Sequence, residues 1–372
     1  MAYGTVNADV IQSSVANTSL GAGNASIMKN RIINGAMVID QRNAGSAVTV
    51  DGAATYITDR FIVQDFSDAV LSAQQVSDAP AGFVNSLKVT VSTADTSLSA
   101  TQGDRVNQRI EGYNIADLGW GTSDAKTITL SFWVKSTLTG TFGGSLENSA
   151  TNRSYPFTYT ISSASTWTLA TVTIAGDTTG TWLTTNGIGV IVNWGLGVGS
   201  TYSGTAGSWQ AADYISATGA VSVVGTLNAT WQVTGVQLEV GSSATGFEYV
   251  NYQTSLANCQ RYYANTYSTG TATGSATSLG AVYGGFVISG MAATTGVSFP
   301  VVMRSAPSIS VWDTAGNANK CSIVASNATT FTSNQAYSNA PFNLSQNGFM
   351  FTGYNAANNY TSYIHYASSA EL

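Results

Sequence analysis

Residues 127–135 read Thr-Ile-Thr-Leu-Ser-Phe-Trp-Val-Lys, and the fold class follows from this pattern. Every second residue is apolar here, at Ile128, Leu130, Phe132 and Val134. A period of two is the pattern of a β-strand that buries one face, because successive side chains point to opposite sides of a sheet. The stretch therefore predicts a half-buried strand.

Similar runs recur on both sides of this strand, separated by turns rich in Gly, Asn, Asp and Ser. They lie at 60–66, 70–76, 86–92, 155–161, 167–174, 187–194 and 231–240. Short strands at such intervals favour an antiparallel β-sandwich. Its predicted core comprises Ile62, Leu87, Val89, Leu130, Phe132, Val134, Trp167, Val172, Ile191, Val236 and Leu238.

The composition also favours strands over helices. Charged residues make up 9% of the 372 residues, whereas hydrophobic residues make up 44%. The polar remainder is mainly Ser, Thr, Asn, Gln and Gly, and several of these compete with a helix for its backbone hydrogen bonds. An aromatic share of 10% argues against disorder. The two cysteines, Cys259 and Cys321, are too sparse to decide between a disulfide and two half-buried thiols.

The strand pattern is interrupted once, and this divides the chain. Residues 251–264 read as a connecting helix or turn between a sandwich at 29–250 and a smaller β-sandwich at 265–372. Residues 1–28 are poor in aromatics and rich in Ala, Ser, Asn and Gly, so we predict an extended N-terminal attachment arm. The alternative for 1–28 is a frayed terminus.

Charge and hydropathy exclude two classes of partner. The net charge is −6, and the 13 Lys and Arg residues are scattered, whereas nucleic-acid binding needs a cluster of cations. No stretch of about 20 apolar residues is present that would insert into a membrane. The N-terminus lacks the basic start and apolar run of a signal peptide, which predicts synthesis in a cytoplasm without ordinary export.

The ionisable residues predict no catalytic residues and no metal site. His365 is the only histidine, so a Ser-His-Asp or Cys-His site would have to use it, and a strand-surface position is the simpler interpretation. Among the 19 acidic residues, nothing distinguishes a pair for glycoside hydrolysis. No cofactor is expected; the weak candidates for a structural Ca²⁺ site are Asp51, Asp59, Asp177 and Glu239.

Aromatic residues are the feature best suited to binding. Five of them cluster around Gly-rich loops in 180–215 and are the predicted ligand-binding residues: Trp182, Trp194, Tyr202, Trp209 and Tyr214. Sugar rings stack on aromatic faces, so the expected ligand is a glycan. The competing interpretation is that these rings pack the core or a subunit interface.

Several stretches resemble a group of bacteriophage and prophage tail-fibre-type proteins. They are RIINGAMVIDQR at 31–42, YITDRF at 56–61, LSFWVK at 130–135, TGVQLEVG at 234–241 with ATGFE at 244–248, CQRYY at 259–263 and ASSAEL at 367–372. Phe61 stands where the group usually has Trp, and Gly246 where it often has Pro. The resemblance covers roughly 30–372 and leaves 1–28 outside.

This resemblance implies a jelly-roll-like sandwich similar to carbohydrate-binding modules, followed by a smaller β domain. It also implies a virion structural protein, a tail fibre or similar appendage, that attaches to a host-surface polysaccharide. The implied partners are other virion proteins, bound through the arm, and further copies of the chain in a homotrimer. Two alternatives remain open: a capsid-decorating, head-fibre or tail-linking protein without receptor binding, and a polysaccharide depolymerase.

Overall fold

The computed structural model describes residues 28–288, 291–292, 294–325, 328–353 and 360–372. The predicted attachment arm at 1–28 lies outside these residues, apart from Met28. Within the described part of the chain, no helix combines the length and the apolar character that crossing a membrane would need.

Strands dominate the larger domain. They are β1 (Val48–Val50), β2 (Ala54–Thr58), β3 (Phe61–Gln64), β4 (Val70–Val76), β5 (Ser86–Thr93), β6 (Gly103–Glu111), β7 (Ile128–Ser136), β8 (Gly140–Glu147), β9 (Ser154–Ile161), β10 (Thr168–Ile174), β11 (Ile188–Val198), β12 (Ser203–Gly204), β13 (Ser216–Ala217) and β14 (Thr230–Val240). Short 3-10 turns occur at Gly112–Asn114 and Ala116–Leu118.

Twelve of these strands form two antiparallel six-stranded sheets. The first sheet has the order β1-β4-β5-β14-β7-β10, and the second has the order β2-β3-β6-β11-β8-β9. Apolar side chains from both sheets meet in one core, with Trp194, Trp231 and Phe132 fully buried at its centre. The predicted jelly-roll-like antiparallel sandwich is therefore confirmed.

Most of the predicted core residues lie in this core, but three do not. Trp167 lies half-buried on the outer face of the first sheet, under the Lys135 ammonium group, which is 5.1 Å from the ring centre. Ile62 and Ile191 are buried but belong to the outer face of the second sheet. Alternation predicts which residues share a face, but it cannot tell which face another part of the chain will cover.

The smaller domain is also built of strands. A helix, α1 (Tyr252–Gln260), precedes them, and they are β15 (Tyr263–Asn265), β16 (Val282–Ile288), β17 (Met291–Ala292), β18 (Thr294–Ser298), β19 (Ser308–Trp312), β20 (Cys321–Ala325), β21 (Thr332–Gln335), β22 (Asn339–Phe342), β23 (Gly348–Thr352) and β24 (Tyr360–Ser369). The long strand β24 pairs with β15, β16, β19 and β20, and a three-stranded sheet, β18-β23-β22, lies beside this assembly. Phe299, Phe349 and Tyr366 pack between them as a second core.

A cluster of buried charges joins the two domains. The Glu371 carboxylate, near the end of the described chain, pairs with Arg42 at 2.8 Å and with Arg60. Each guanidinium lies 3.6 Å from the centre of a tyrosine ring, Arg42 over Tyr263 and Arg60 over Tyr262. We call Arg42, Arg60, Glu371, Tyr262 and Tyr263 the interdomain clasp.

A second set of charged contacts reinforces this clasp. Glu111, at the end of β6, accepts hydrogen bonds from Arg261 at 2.6 and 2.9 Å and from the Tyr262 hydroxyl at 2.6 Å. Arg304 donates to the carbonyls of Ala370 and Asn186. Much of the sequence that carries the family resemblance therefore joins the two domains.

Two buried carboxyl groups meet at the edge of the larger sandwich. Asp104 accepts hydrogen bonds from the Phe66 amide at 2.7 Å and from the Ser67 hydroxyl at 2.6 Å, and it contacts the Asp65 carboxyl. Burial raises the pKa of Asp104 to about 7, and the neighbouring Asp65 charge is a smaller cause of the same increase.

We predict that Glu371→Gln lowers the free energy of unfolding by about 3–5 kcal/mol, because it leaves the buried Arg60 guanidinium without a countercharge. Urea unfolding monitored by tryptophan fluorescence measures the change. The exposed Asp51→Asn serves as the control and should stay within about 0.5 kcal/mol of the wild type. Equal stabilities for the two variants would contradict the clasp.

We also predict a pH-dependent contribution from Asp104. The pKa of Asp104 in the folded protein lies above its ordinary value of 3.8. The stability that the protonated Asp104 contributes is therefore complete below pH 3.8 and is lost as the pH rises through about 7. Asp104→Asn stays neutral, so its melting temperature relative to the wild type should increase between about pH 5 and pH 8. The exposed neighbour Asp68→Asn is the control, and a constant difference for Asp104→Asn would disprove the prediction.

Candidate functional site

An open pocket with an aromatic wall lies on the larger domain, next to the start of the described chain. Phe83, Phe247 and Tyr249 form this wall, with ring centres 5.0–5.7 Å apart. Phe83 lies over Gly235, where an added Cβ would come within 2.7 Å of its ring, so the glycine in β14 makes room for the wall. Tyr249 is 65% exposed and is the ring most available to a ligand.

Residues 32–38, within the stretch RIINGAMVIDQR, form the back wall of this aromatic pocket. Asn34 fixes their turn, because its side chain accepts from the Ile39 amide at 3.0 Å and donates to the carbonyls of Ile39 and Asp59. Gly35 is required because an added Cβ would lie 2.1 Å from the Val236 carbonyl oxygen. Aliphatic side chains on a fixed backbone thus face the aromatic wall.

Polar groups lie at the rim. Glu248 accepts from the Asn30 amide at 2.6 Å through one carboxylate oxygen. Ser255 and Asn258 come from α1, whose first turn is capped by Asn251, accepting from the Thr254 amide at 2.9 Å. Asn258 is exposed and Ser255 half-buried, so amide and hydroxyl groups border an apolar cavity.

The aromatic pocket has a volume of about 220 Å³, and an adjoining pocket has about 410 Å³. Asn30, Ile33 and Asn258 line both, while Arg261 and Val302 line only the adjoining pocket. The volume of the adjoining pocket lies within the range of about 300–1,000 Å³ that is usual for small-ligand sites, and the aromatic pocket enlarges this cavity. Together they form a groove that reaches the boundary of the smaller domain.

Two of the predicted ligand-binding residues pack together beneath loops. Trp182 and Trp209 meet at 5.3 Å between ring centres, and Trp120 lies edge-on to both. The Trp209 indole donates to the Ala175 carbonyl at 2.8 Å, and its ring also contacts Tyr155. Trp182 is 7% exposed, so this cluster mainly fixes loops to the sandwich.

The other three predicted residues are not brought into one site. Trp194 lies in the centre of the core, with no exposed surface, and packs against Phe132 and Trp231. Tyr202 and Tyr214 are half-buried in the segment that carries β12 and β13, where the Tyr214 ring lies against Gly204. Ligand binding by the exposed edges of these rings stays a prediction.

Sequence reasoning missed the aromatic wall. One hint of this wall is present in the sequence, because Phe247 lies within the ATGFE stretch at 244–248. Phe83, however, lies in a loop more than a hundred residues earlier. The structure brings them together because the loop after β4 crosses the outer face of β14. A contact at this separation leaves no periodic trace in the sequence.

The lone histidine is buried, not on a strand surface as predicted. The His365 ring stacks on Tyr267 at 4.2 Å, its Nε2 donates to the Thr277 carbonyl and its Nδ1 bonds the Thr266 hydroxyl, each at 2.9 Å. Burial lowers the pKa of His365. Such a ring acts as a packing element of the smaller domain.

The Ca²⁺ candidates do not converge. Asp51 is exposed, Asp59 is held by Arg42, Asp177 by Arg153, and Glu239 by Thr245. Within the described ranges, no three His, Cys, Asp or Glu side chains group as metal ligands.

The two cysteines are buried thiols that are not joined to each other. Burial raises the pKa of Cys259 well above its ordinary value.

Comparison with family models and with curated proteins gives no match. Solved structures with a similar fold include the enzymatically active domain of tailspike protein 4 from bacteriophage CBA120, at 12% identity and a TM-score of 0.31, covering 57% of this chain and 22% of that one. A family 11 carbohydrate-binding module of Clostridium thermocellum matches at 11% identity and a TM-score of 0.27, covering 54% of this chain and 99% of that module.

The N-terminal cellulose-binding domain of Cellulomonas fimi β-1,4-glucanase C matches at 14% identity and a TM-score of 0.24, covering 55% of this chain and 99% of that domain. This chain thus spans less than a quarter of the tailspike domain and nearly all of each binding module. With identities below 25% and TM-scores below 0.5, the likeness assigns neither a ligand nor an activity to this chain.

Proposed function

We propose that this chain is a non-enzymatic attachment protein of a phage particle, and that it binds a host-surface glycan in the aromatic pocket. The observation that carries the proposal is the open pocket in which Tyr249 and Phe83 face aliphatic residues, with amide, hydroxyl and carboxylate groups at the rim. The virion location, the homotrimer and the contact with other virion proteins through 1–28 are parts of the same proposal, which the resemblance at 31–42 and 234–263 suggests.

The chemistry of the pocket suits a sugar. The C–H face of a pyranose ring packs on an aromatic face, and its hydroxyls need hydrogen-bonding groups at the edge. Tyr249 and Phe83 supply the aromatic face, and the hydrogen-bonding groups come from Glu248, Ser255 and Asn258. A shallow site of this kind binds weakly, and several copies on one particle would raise the affinity through effective concentration.

A second candidate is a decorating or linking protein without receptor binding. The observation that favours it is the apolar rim of the same groove, where Val84 is 66% exposed and Val250 is also exposed. Exposed apolar patches often mark protein contacts. Under this alternative the groove would take up a side chain from another virion protein.

Two pairs of contacting carboxyl groups are unsuited to glycoside hydrolysis. Glycoside hydrolysis needs two carboxyl groups about 5–10 Å apart, with the sugar between them. In the described part of the chain, Asp65 contacts Asp104 and Glu147 contacts Asp213 directly, and Asp65, Asp104 and Glu147 are fully buried. A sugar cannot enter between carboxyls that already touch.

We expect Tyr249→Ala to raise the dissociation constant for a glycan at least about tenfold, because it removes the exposed aromatic face. An array of bacterial surface oligosaccharides identifies the strongest binder, and calorimetric titration with that oligosaccharide gives the constant. Tyr249→Phe keeps the ring and should bind within about threefold of the wild type.

Tyr113→Ala provides the matched control, since Tyr113 is 58% exposed but lines neither pocket. An array without any signal for the wild type would contradict glycan binding and favour the decorating alternative. Equal losses in Tyr113→Ala and Tyr249→Ala would place the site elsewhere.

Incubation of the wild-type protein with the host polysaccharide should release no new reducing ends. The expectation follows from the proposed non-enzymatic role, and neither of the two contacting carboxyl pairs, Asp65–Asp104 and Glu147–Asp213, leaves room for a glycosidic bond. A reducing-sugar assay measures the release, with a commercial glycanase as the positive control. Release that persists after repeated purification would establish a depolymerase and end the non-enzymatic proposal.

A further inference from the structure

The charged side chains of the groove differ between its two pockets. Among the described residues that line them, Glu248 is the charged side chain of the aromatic pocket, whereas Arg31 and Arg261 are those of the adjoining pocket. The proposed function uses the aromatic rings and the polar rim, but it gives no role to these two arginines. The groove therefore has an acidic end and a basic end, in a chain whose net charge is −6.

Arg261 retains hydrogen-bond donors for a ligand. Its Nε and Nη2 donate to the Glu111 carboxylate at 2.9 and 2.6 Å, and its Nη1 makes no hydrogen bond to another described residue. The Arg261 side chain is 33% exposed, so a ligand can reach it. Since a guanidinium group stays protonated and carries two N–H groups on each terminal nitrogen, Nη1 supplies two charged donors.

Arg304 adds a second positive charge beside Arg261. The Arg304 amide donates to the Arg261 carbonyl at 2.8 Å, which holds the two residues together. Its guanidinium donates to three backbone carbonyls and forms no ion pair within the described residues. Glu111 therefore neutralises one of two neighbouring positive charges.

Arg31 is in a similar position. Asp117 accepts from both terminal nitrogens of Arg31, at 2.9 and 2.8 Å, and it also lies 4.0 Å from the Lys126 ammonium group. Two cations again accompany one carboxylate. Neither Asp117 nor Glu111 is among the described residues that line the adjoining pocket. A bound anion would therefore contact the arginines from the side that their carboxylates leave open.

Two uncharged amides add further donors. Asn114 is half-buried and Asn258 is exposed, and both line the adjoining pocket. Their side chains make no hydrogen bond to the described part of the chain. An oxyanion has several lone pairs that need donors, and a hydrogen bond from a charged donor to an oxyanion is stronger than one between neutral groups. The pocket thus suits an oxyanion better than a neutral hydroxyl group.

We propose that the groove binds an acidic sugar, with its oxyanion, a carboxylate or a phosphate, at Arg261 and a sugar ring on the aromatic wall. This inference rests on the proposed function, because it names the class of glycan that the same groove takes. Asn30, Ile33 and Asn258 line both pockets, so one ligand can span them. Glu248 sets the orientation, since its carboxylate repels the oxyanion from the aromatic end.

An array of oligosaccharides from bacterial surface polysaccharides tests this inference on the wild-type protein. Each acidic oligosaccharide is printed beside its neutral form, made by carboxyl reduction of a uronic acid or by phosphatase treatment of a sugar phosphate. We expect the acidic forms to bind, and calorimetric titration should give the neutral form of each binder an affinity at least about tenfold lower. The kind of pair that shows this loss distinguishes a carboxylate from a phosphate.

Asn258→Asp tests the position of the oxyanion, because it places a carboxylate where the two pockets meet. The residue is exposed, so the variant should fold. Repulsion should weaken binding of the acidic form at least about tenfold, while the affinity for the neutral form stays within about threefold of the wild type. Gln253→Glu is the matched control, since it adds the same charge at an exposed position of α1 that lines neither pocket.

The possible results separate this inference from the proposed function. Equal affinities of the wild type for acidic and neutral forms would overturn the inference and leave glycan binding in place. An array without any signal would overturn both. An unchanged affinity of Asn258→Asp for the acidic form, or an equal loss for both forms, would show that the oxyanion does not lie in this pocket.

Discussion

The arrangement of the molecule depends on the ion pairs that Glu371 makes with Arg42 and Arg60. Only 9% of the residues are charged, yet several of them are buried together where the two sandwiches meet. Burying such charges is costly unless each is paired and hydrogen-bonded. These charges therefore favour the one arrangement of the domains in which each of them has its partner. The tyrosine rings under both guanidinium groups add cation–π attraction and exclude water.

This constraint also positions the candidate site. The turn that carries Asn34 and Gly35 is fixed to β14 on one side and leads into Arg42 on the other. The back wall of the aromatic pocket is therefore held by the same segment that clasps the domains. A pocket built on such a rigid backbone needs little rearrangement on binding, which lowers the entropy that binding costs.

The second sheet differs from the first in what covers its outer face. The glycines of β8 and β11 let the segment around Ser216 approach closely, since a Cβ at Gly143 or Gly195 would meet Ser216 within 3 Å. Asn107, Asn193 and Glu147 are thereby enclosed. Enclosure makes their unpaired oxygens energetically important, because a buried acceptor without a donor costs more than an exposed one.

The all-β class, the strands and the faces that alternate along them can be predicted from local sequence pattern, because a period of two records burial locally, as at Leu130 and Phe132. The sequence also pointed to the segments that proved to join the domains. Three features are visible only in the folded chain: Trp194 belongs to the core, Phe83 contacts Tyr249, and Asn107 lies opposite Asn193. Those outcomes depend on contacts between distant strands and on which sheet face becomes covered, and neither leaves a local pattern in the chain.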